Sequence, residues 1–171
     1  GVTVNRFCSS GLQTIAMASQ AIATGQADAI IAGGAESMSL IPMGGHQLLP
    51  NPELLKDAPE VYCSMGITAE NVAQQYQISR SDQDAWALRS HQKALEAIQQ
   101  GRFESEIIPV PVKETTYLNG KVQTHEQIFQ LDEEPRLDTS LEALARLQPG
   151  LRVGGTVTAG HASQMSDGAG A

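Results

Sequence analysis

The sequence predicts an α/β domain interrupted by an α+β insertion, and three observations carry that expectation. A buried strand, an apolar helix and a second buried strand follow one another at the start of the chain, the order of a βαβ unit. After Gly33-Gly34 the character changes: Pro42, Gly44, Gly45, Pro50 and Pro52 break the pattern, and charge rises from Glu53 onward. Near the end, Thr156, Val157 and Thr158 read as a strand that returns to the core.

Residues 1–5 read as the first short strand, leading through Arg6 and Phe7 into a turn that holds Cys8. No charged residue stands between Phe7 and Ala27. Leu12, Ile15, Met17 and Ile22, with several alanines, give a helix apolar on nearly all sides, which should be buried. Gly25 ends it, and residues 27–32 ("ADAIIA") read as a buried strand. A short helix is expected over residues 68–76. Ser79 with Asp82 resembles a capping box and opens a longer helix ending at Gly101, with Ala85, Leu88, Leu95 and Ile98 as its apolar stripe. Residues 107–112 are strand-like but carry Pro109 and Pro111, which suits a sheet edge. Asn119-Gly120 is a hairpin turn between residues 113–118 and 121–129. Thr139 with Glu142 reads as a second capping box, opening a helix through Leu141, Leu144 and Leu147. A further helix is expected to start near Asp167.

The 171 residues suffice for one domain with a core, or for pieces of two. Hydrophobic residues at 41% and charged ones at 18% make this a globular composition. Net charge is -8, from 11 basic and 19 acidic residues, which argues against a general affinity for nucleic acid or anionic membrane but leaves room for an anionic small molecule held by a few local donors. Cys8 and Cys63 are the only cysteines, so there is no disulfide framework and a reducing compartment is expected. No apolar run reaches the length of a membrane span. No His, Cys and carboxylate spacing suggests a metal site. The chain opens without Met or a basic leader and closes on residues that look like a helix start. Both ends are therefore expected to be cut from a longer protein.

Cys8 is the residue with a physical reason to react. At a strand-to-helix turn, the positive end of the helix dipole and its unpaired N–H groups stabilise a thiolate. Ser9, Ser10 and Gly11 are small enough for backbone amides to approach a bound carbonyl. That is the logic of acyl transfer: thiolate attack with backbone donors for the oxyanion. The alternative is a small residue packed into a core.

The segment "NRFCSSGLQ" (residues 5–13) followed by "AGGAESMS" (residues 32–39) resembles the nucleophile segment of the thiolases. The likeness continues through "SMGITAENVA" (64–73), "SRSDQDAWALRSHQKA" (79–94), "GRFESEIIPV" (101–110) and "GTVTAGHASQMSDGA" (155–169). The blocks keep their order over nearly the whole chain. The resemblance implies a thiolase-like fold, here part of its N-terminal βαβαβαββ half with an inserted α+β loop domain. The nucleophile-bearing part of the core would be residues 1–37, the inserted loop domain 38–155, and the return to the core 156–171.

The same resemblance implies that Cys8 takes an acyl group from a 3-ketoacyl-CoA and releases acetyl-CoA, after which a second CoA removes the shortened acyl group. Met65 would line the acyl or pantetheine pocket; read alone, it is an ordinary core Met. Arg136 would lie against the adenine of CoA; read alone, it is a solvated surface Arg. Ala159 and Ser163 would contact the pantetheine arm, Ser163 through a hydrogen bond; read alone, Ser163 is a turn or cap residue. No permanently bound cofactor and no metal is implied, only CoA and acyl-CoA as substrates. A homodimer or homotetramer is expected, cytoplasmic in a bacterium or else mitochondrial or peroxisomal.

The chain departs from the family at His161, where Asn or another small polar residue is usual, at Gly170, and at residues 148–151. The family's Gly-His-Pro and Cys-x-Gly motifs, which carry its activating His and second Cys, belong to the second half and do not occur here. Cys63 and the four histidines, His46, His91, His125 and His161, do not supply them by motif; Cys63 is expected to be a buried structural Cys, and His91 a satisfied structural His. The fragment alone is therefore expected to be inactive. Ser64 and the residues around Pro42 lean toward the degradative 3-ketoacyl-CoA enzymes. The rivals are an acetoacetyl-CoA thiolase and a non-catalytic thiolase-like protein that binds CoA or lipid.

Overall fold

All 171 residues are described in the computed structural model, which divides into two units: Gly1–Tyr62 with Ser163–Ala171, and Cys63–Ala162. In chain order the elements are α1 (Ser10–Ala23), β1 (Gly34–Glu36), α2 (Pro52–Asp57), α3 (Met65–Gln75), α4 (Arg80–Gln99), β2 (Val110–Leu118), β3 (Lys121–Phe129), α5 (Leu141–Ala145) and β4 (Gly168–Gly170).

In the first unit a 3-10 turn, Phe7–Ser9, runs straight into α1. The helix stops where Gly25 adopts φ +72°, a conformation open to glycine without steric penalty. The Gly25 amide then returns to the Ile22 carbonyl at 3.0 Å and the Gln26 amide to Ala21 at 2.9 Å, the paired bonds of a Schellman ending. β1 and β4 form a short antiparallel ribbon with Ala35 opposite Ala169. Asp167, just before β4, fastens the loop after β1. It accepts the Ser39 amide at 2.9 Å, the Ser39 hydroxyl at 2.5 Å and the Ser37 hydroxyl at 3.1 Å. α2 starts at a double cap, Asn51 Oδ1 accepting from the amides of Glu53 and Leu54.

In the second unit both long helices begin on serine caps. Ser64 accepts the Ile67 amide at 3.4 Å. Ser79 accepts the Asp82 amide at 3.1 Å while its hydroxyl donates to the Asp82 carboxylate at 2.6 Å. α4 closes in the Schellman manner at Gly101, as the sequence predicts. The hairpin also forms at the expected turn: Leu118 pairs with Lys121, and Asn119 and Gly120 both take positive φ, +52° and +72°. Pro111 is tolerated in β2 because each strand of a two-stranded ribbon keeps a free edge. The buried apolar residues of this unit are Ala73 of α3, Ala87 of α4, Leu144 of α5 and Val157, with Glu70, Asp84 and Thr158 buried beside them.

Several local expectations are corrected. Residues 1–5 and 27–32 are not strands, and 156–158 are irregular; a strand exists only against a hydrogen-bonded neighbour, and none pairs with these residues here. The strand after α1 is instead Gly34–Glu36, and both sheets are two-stranded antiparallel ribbons. α1 contains no buried residue, with Leu12 71% and Ile15 58% exposed, because its apolar faces are left uncovered in this chain. Ala85 is exposed and does not belong to the inward stripe of α4, which carries Asp84, Ala87, Leu88, His91, Leu95 and Ile98. The last capping box starts one residue late, Ser140 rather than Thr139 accepting the Ala143 amide at 3.1 Å. Asp167 opens no helix, since its carboxylate is committed to Ser37 and Ser39 and the chain enters β4. No helix is long and apolar enough to cross a membrane.

Candidate active site

Cys8 lies in the first unit, exposed, in the 3-10 turn that leads into α1. The residue before it, Phe7, sits at φ +50°, a left-handed conformation that costs a residue with a Cβ about 1–2 kcal/mol. Such strain persists only when the surroundings over-determine it, and it gathers at functional positions. Here three side chains hold the turn. Asn5 Oδ1 accepts the Phe7 amide at 2.8 Å. The Ser10 hydroxyl accepts the Arg6 amide at 2.9 Å and donates to the Phe7 carbonyl at 2.8 Å. The Arg6 guanidinium donates to Gln13 Oε1 at 2.9 Å, one turn further along. No acidic residue occupies the first turn of α1, so the positive end of its dipole is left uncompensated beside Cys8.

Ser163 belongs to the same unit, exposed, its hydroxyl donating to the Gln164 carbonyl at 3.2 Å. Met65, Arg136 and Ala159 belong to the second unit. Met65 is the first residue of α3 and is 71% exposed, so it is not a core methionine of this chain. Arg136 is exposed and makes a two-pronged bond to Asp138, at 3.1 and 3.0 Å. That pairing raises the Arg136 guanidinium and lowers the Asp138 carboxyl. The Arg136 amide donates to His91 Nδ1 at 3.1 Å, so His91 is satisfied as expected. Cys63 is half-buried, not buried: it lies in the irregular stretch just ahead of the Ser64 cap, outside any helix or strand.

Ala159 stands exposed at the tip of a turn formed by residues 158–161. The His161 amide closes this turn on the Thr158 carbonyl at 3.0 Å, and the Gly160 amide donates to the Thr158 hydroxyl at 3.1 Å. Two buried acids, neither singled out from the sequence, anchor the segment. Glu70 of α3 accepts the amides of Thr156 and Val157 and the Thr156 hydroxyl. Burial pushes Glu70 up, but those donors and the Arg152 charge prevail and hold it below the usual carboxylate range.

Asp84 of α4 lies 2.6 Å from His161 Nε2 and accepts Arg80 Nε at 3.0 and 3.2 Å. Burial again pushes the carboxyl up; the Arg80 and His161 bonds and the Arg80 charge outweigh it and lower it. The signal for Asp84 lay in its position, an acid three and four residues before Ala87 and Leu88 on the inward face of a helix.

Comparison with known proteins bears on the arrangement as a whole. The thiolase N-terminal domain model matches residues 1–171. The chain is 52% identical over 171 residues to the 3-ketoacyl-CoA thiolase of Bacillus subtilis (strain 168), covering 99% of this chain and 44% of that protein. It is 45% identical over 183 aligned positions to a probable acetyl-CoA acetyltransferase of Escherichia coli (strain K12), again covering 99% and 44%. Among solved structures, the dimeric peroxisomal thiolase of Saccharomyces cerevisiae matches with a TM-score of 0.78 at 39% identity, over 98% of this chain and 41% of that one. The Bacillus anthracis acetyl-CoA acetyltransferase matches with a TM-score of 0.77 at 40% identity, over 99% and 44%. The chain thus spans less than half the length of the relatives it matches. From its first residue to its last it carries the N-terminal domain pattern, and it belongs to the thiolase family.

Proposed function

We propose that this chain supplies the nucleophile-bearing part of an acetyl-CoA C-acyltransferase that cleaves 3-ketoacyl-CoA with CoA. The observation that carries the reading is Cys8 itself: exposed, at the uncompensated N-terminus of α1, directly after a residue held at positive φ. In the proposed reaction the Cys8 thiolate attacks the 3-keto carbon, the bond between C2 and C3 breaks, and acetyl-CoA leaves after its C2 takes a proton. The thiol of a second CoA then gives up its proton, which replaces the one taken by C2, and its sulfur attacks the Cys8 thioester, releasing the shortened acyl-CoA and restoring the thiolate. Met65, Arg136, Ala159 and Ser163 are proposed to receive the acyl-CoA: Met65 along the acyl or pantetheine part, Ala159 and Ser163 along the pantetheine arm, Arg136 against the adenine. The bidentate bond to Asp138 supports that role for Arg136, since it fixes the guanidinium plane and leaves its faces free to stack. The activating His and second Cys of the family would come from the remainder of the protein, so these residues alone should not turn over. We propose fatty-acid degradation as the setting, and a homo-oligomer.

In the full-length protein, Cys8→Ala should abolish the covalent acyl-enzyme seen by mass spectrometry and leave CoA binding intact. An acyl adduct on Cys63, or undiminished turnover in the variant, would overturn the assignment. A second reading, condensation or cleavage at the acetoacetyl-CoA level, is favoured by the acetyl-CoA acetyltransferase names among the relatives. Thiolysis across a chain-length series separates the two, because activity confined to acetoacetyl-CoA would select the second.

A further inference from the structure

We propose that His161 is a positioning residue, which bridges the Thr158 amide to the Asp84 carboxylate and so fixes the turn that presents Ala159 to the pantetheine arm. This rests on the acyl-CoA reading above. A backbone N–H can only donate, so the Thr158 amide, 3.2 Å from His161 Nδ1, requires that nitrogen to be the acceptor. The ring proton is then on Nε2, which donates to Asp84 Oδ1 at 2.6 Å. One tautomer satisfies both contacts, and neither is open to exchange with water: the His161 and Asp84 side chains are 8% and 7% exposed and Thr158 is 1% exposed.

The far end of the bridge is rigid as well. Arg80 holds Asp84 from the preceding turn of α4 and donates its Nη2 to the carbonyls of Leu144 at 2.6 Å and Leu147 at 3.0 Å, at the end of α5. On its other side the turn rests against the same two leucines. A Cβ placed on Gly160 would meet Leu144 Cδ2 at 2.5 Å and Leu147 Cδ1 at 3.0 Å, so the backbone there lies directly on them. The turn is thus clamped between α4 and α5, and what it leaves exposed is Ala159. A side chain spent on holding such a turn acts on ligand binding through preorganisation, without touching the ligand.

The test uses the full-length protein. Imidazole nitrogen NMR on histidine-labelled protein should find His161 as the Nε2–H tautomer, with Nδ1 unprotonated. His161→Ala should raise the KM for acyl-CoA about tenfold, equal to ~1.4 kcal/mol, with kcat changed much less. The two halves of the bridge separate chemically. His161→Asn keeps a short acceptor for the Thr158 amide but does not reach Asp84, whereas His161→Gln reaches Asp84 without that acceptor. Each should restore part of the lost KM, and these two variants carry the kinetic test if His161→Ala does not fold. An Nδ1–H tautomer, or folded variants whose KM equals the wild-type value, would refute the positioning role while leaving the acyl-CoA reading intact. A wild-type protein that neither binds CoA nor cleaves any 3-ketoacyl-CoA would sink both together.

Discussion

Glu70 Oε1 lies 2.8 Å from the backbone nitrogen of Val157, a residue 87 positions later, so one carboxylate in α3 carries the irregular segment that leads to Ala159. The same carboxylate takes the Thr156 amide on both oxygens, at 2.9 and 3.0 Å. The chain approaches so closely that a side chain on Gly155 would collide with the acid. Substituting Glu70 with Ala strands two backbone donors in a buried place and should cost the segment about 2–4 kcal/mol. Glu70→Gln, which keeps one acceptor oxygen, should cost roughly half as much. Amide hydrogen exchange at Thr156 and Val157 reads this locally. Unchanged protection in Glu70→Ala would show that the carboxylate is not the anchor.

Acid should release the same segment. Glu70 and Asp84 are both lowered in the folded chain relative to the ordinary carboxylate range. A depressed acid gives stability that is complete above its unfolded value, near 4, and is lost as pH falls through the lower folded value. Protection of the Thr156, Val157 and Thr158 amides should therefore be level from about pH 7 to 5 and fall below about pH 4. In Glu70→Gln that fall should be shallower, because only Asp84 still titrates. A steeper fall in the variant would contradict the assignment.

These anchors mark the limit of what could be read from the residues alone. Caps and turns were legible because their chemistry is local: Ser79 with Asp82, Gly25, Gly101 and Asn119-Gly120 all act within a few residues of themselves. Strands were not. Residues 1–5 and 27–32 have strand-like composition, but a strand is made by its neighbour, and no partner for them lies in this chain. The acids were missed for a related reason. Glu70 looks like an ordinary polar helix residue until its partner 87 positions away is known, and the place of Asp84 beside Ala87 and Leu88 does not reveal its partner 77 positions away. Cys8 is singled out by its small neighbours together with the resemblance of its segment, while the strained Phe7 before it has no signature in a bulky aromatic side chain. Only the Asn two positions earlier, a frequent turn-former, hinted at it.

Arg80 offers a test of whether geometry or charge holds the centre of the second unit. Its guanidinium serves both Asp84 oxygens and the Leu144 and Leu147 carbonyls at once. A lysine has the charge but a single nitrogen, and it cannot reproduce that fork. Arg80→Lys should cost about 1–3 kcal/mol, most of it at the end of α5, where two carbonyls lose their donor. Amide protection across residues 140–147 checks the location. Unchanged stability and protection in Arg80→Lys would mean that charge alone matters, and a loss spread evenly over the unit would contradict the placement at the end of α5.

Asn5 is the last and most direct handle on Cys8. Its Oδ1 is the acceptor that holds the Phe7 amide while that residue stays at φ +50°. Without it, the left-handed conformation keeps its cost of about 1–2 kcal/mol and loses one of the contacts that impose it. Asn5→Ala should then let the turn relax and move the sulfur relative to the end of α1. In the full-length protein the rate of acyl-enzyme formation should drop about tenfold, ~1.4 kcal/mol in the barrier. Cys8 is already exposed, so its alkylation by a small electrophile should change much less. Equal losses in both reactions would point to a change in the thiol itself, and no loss in either would show that Ser10 and Arg6 suffice to hold the turn.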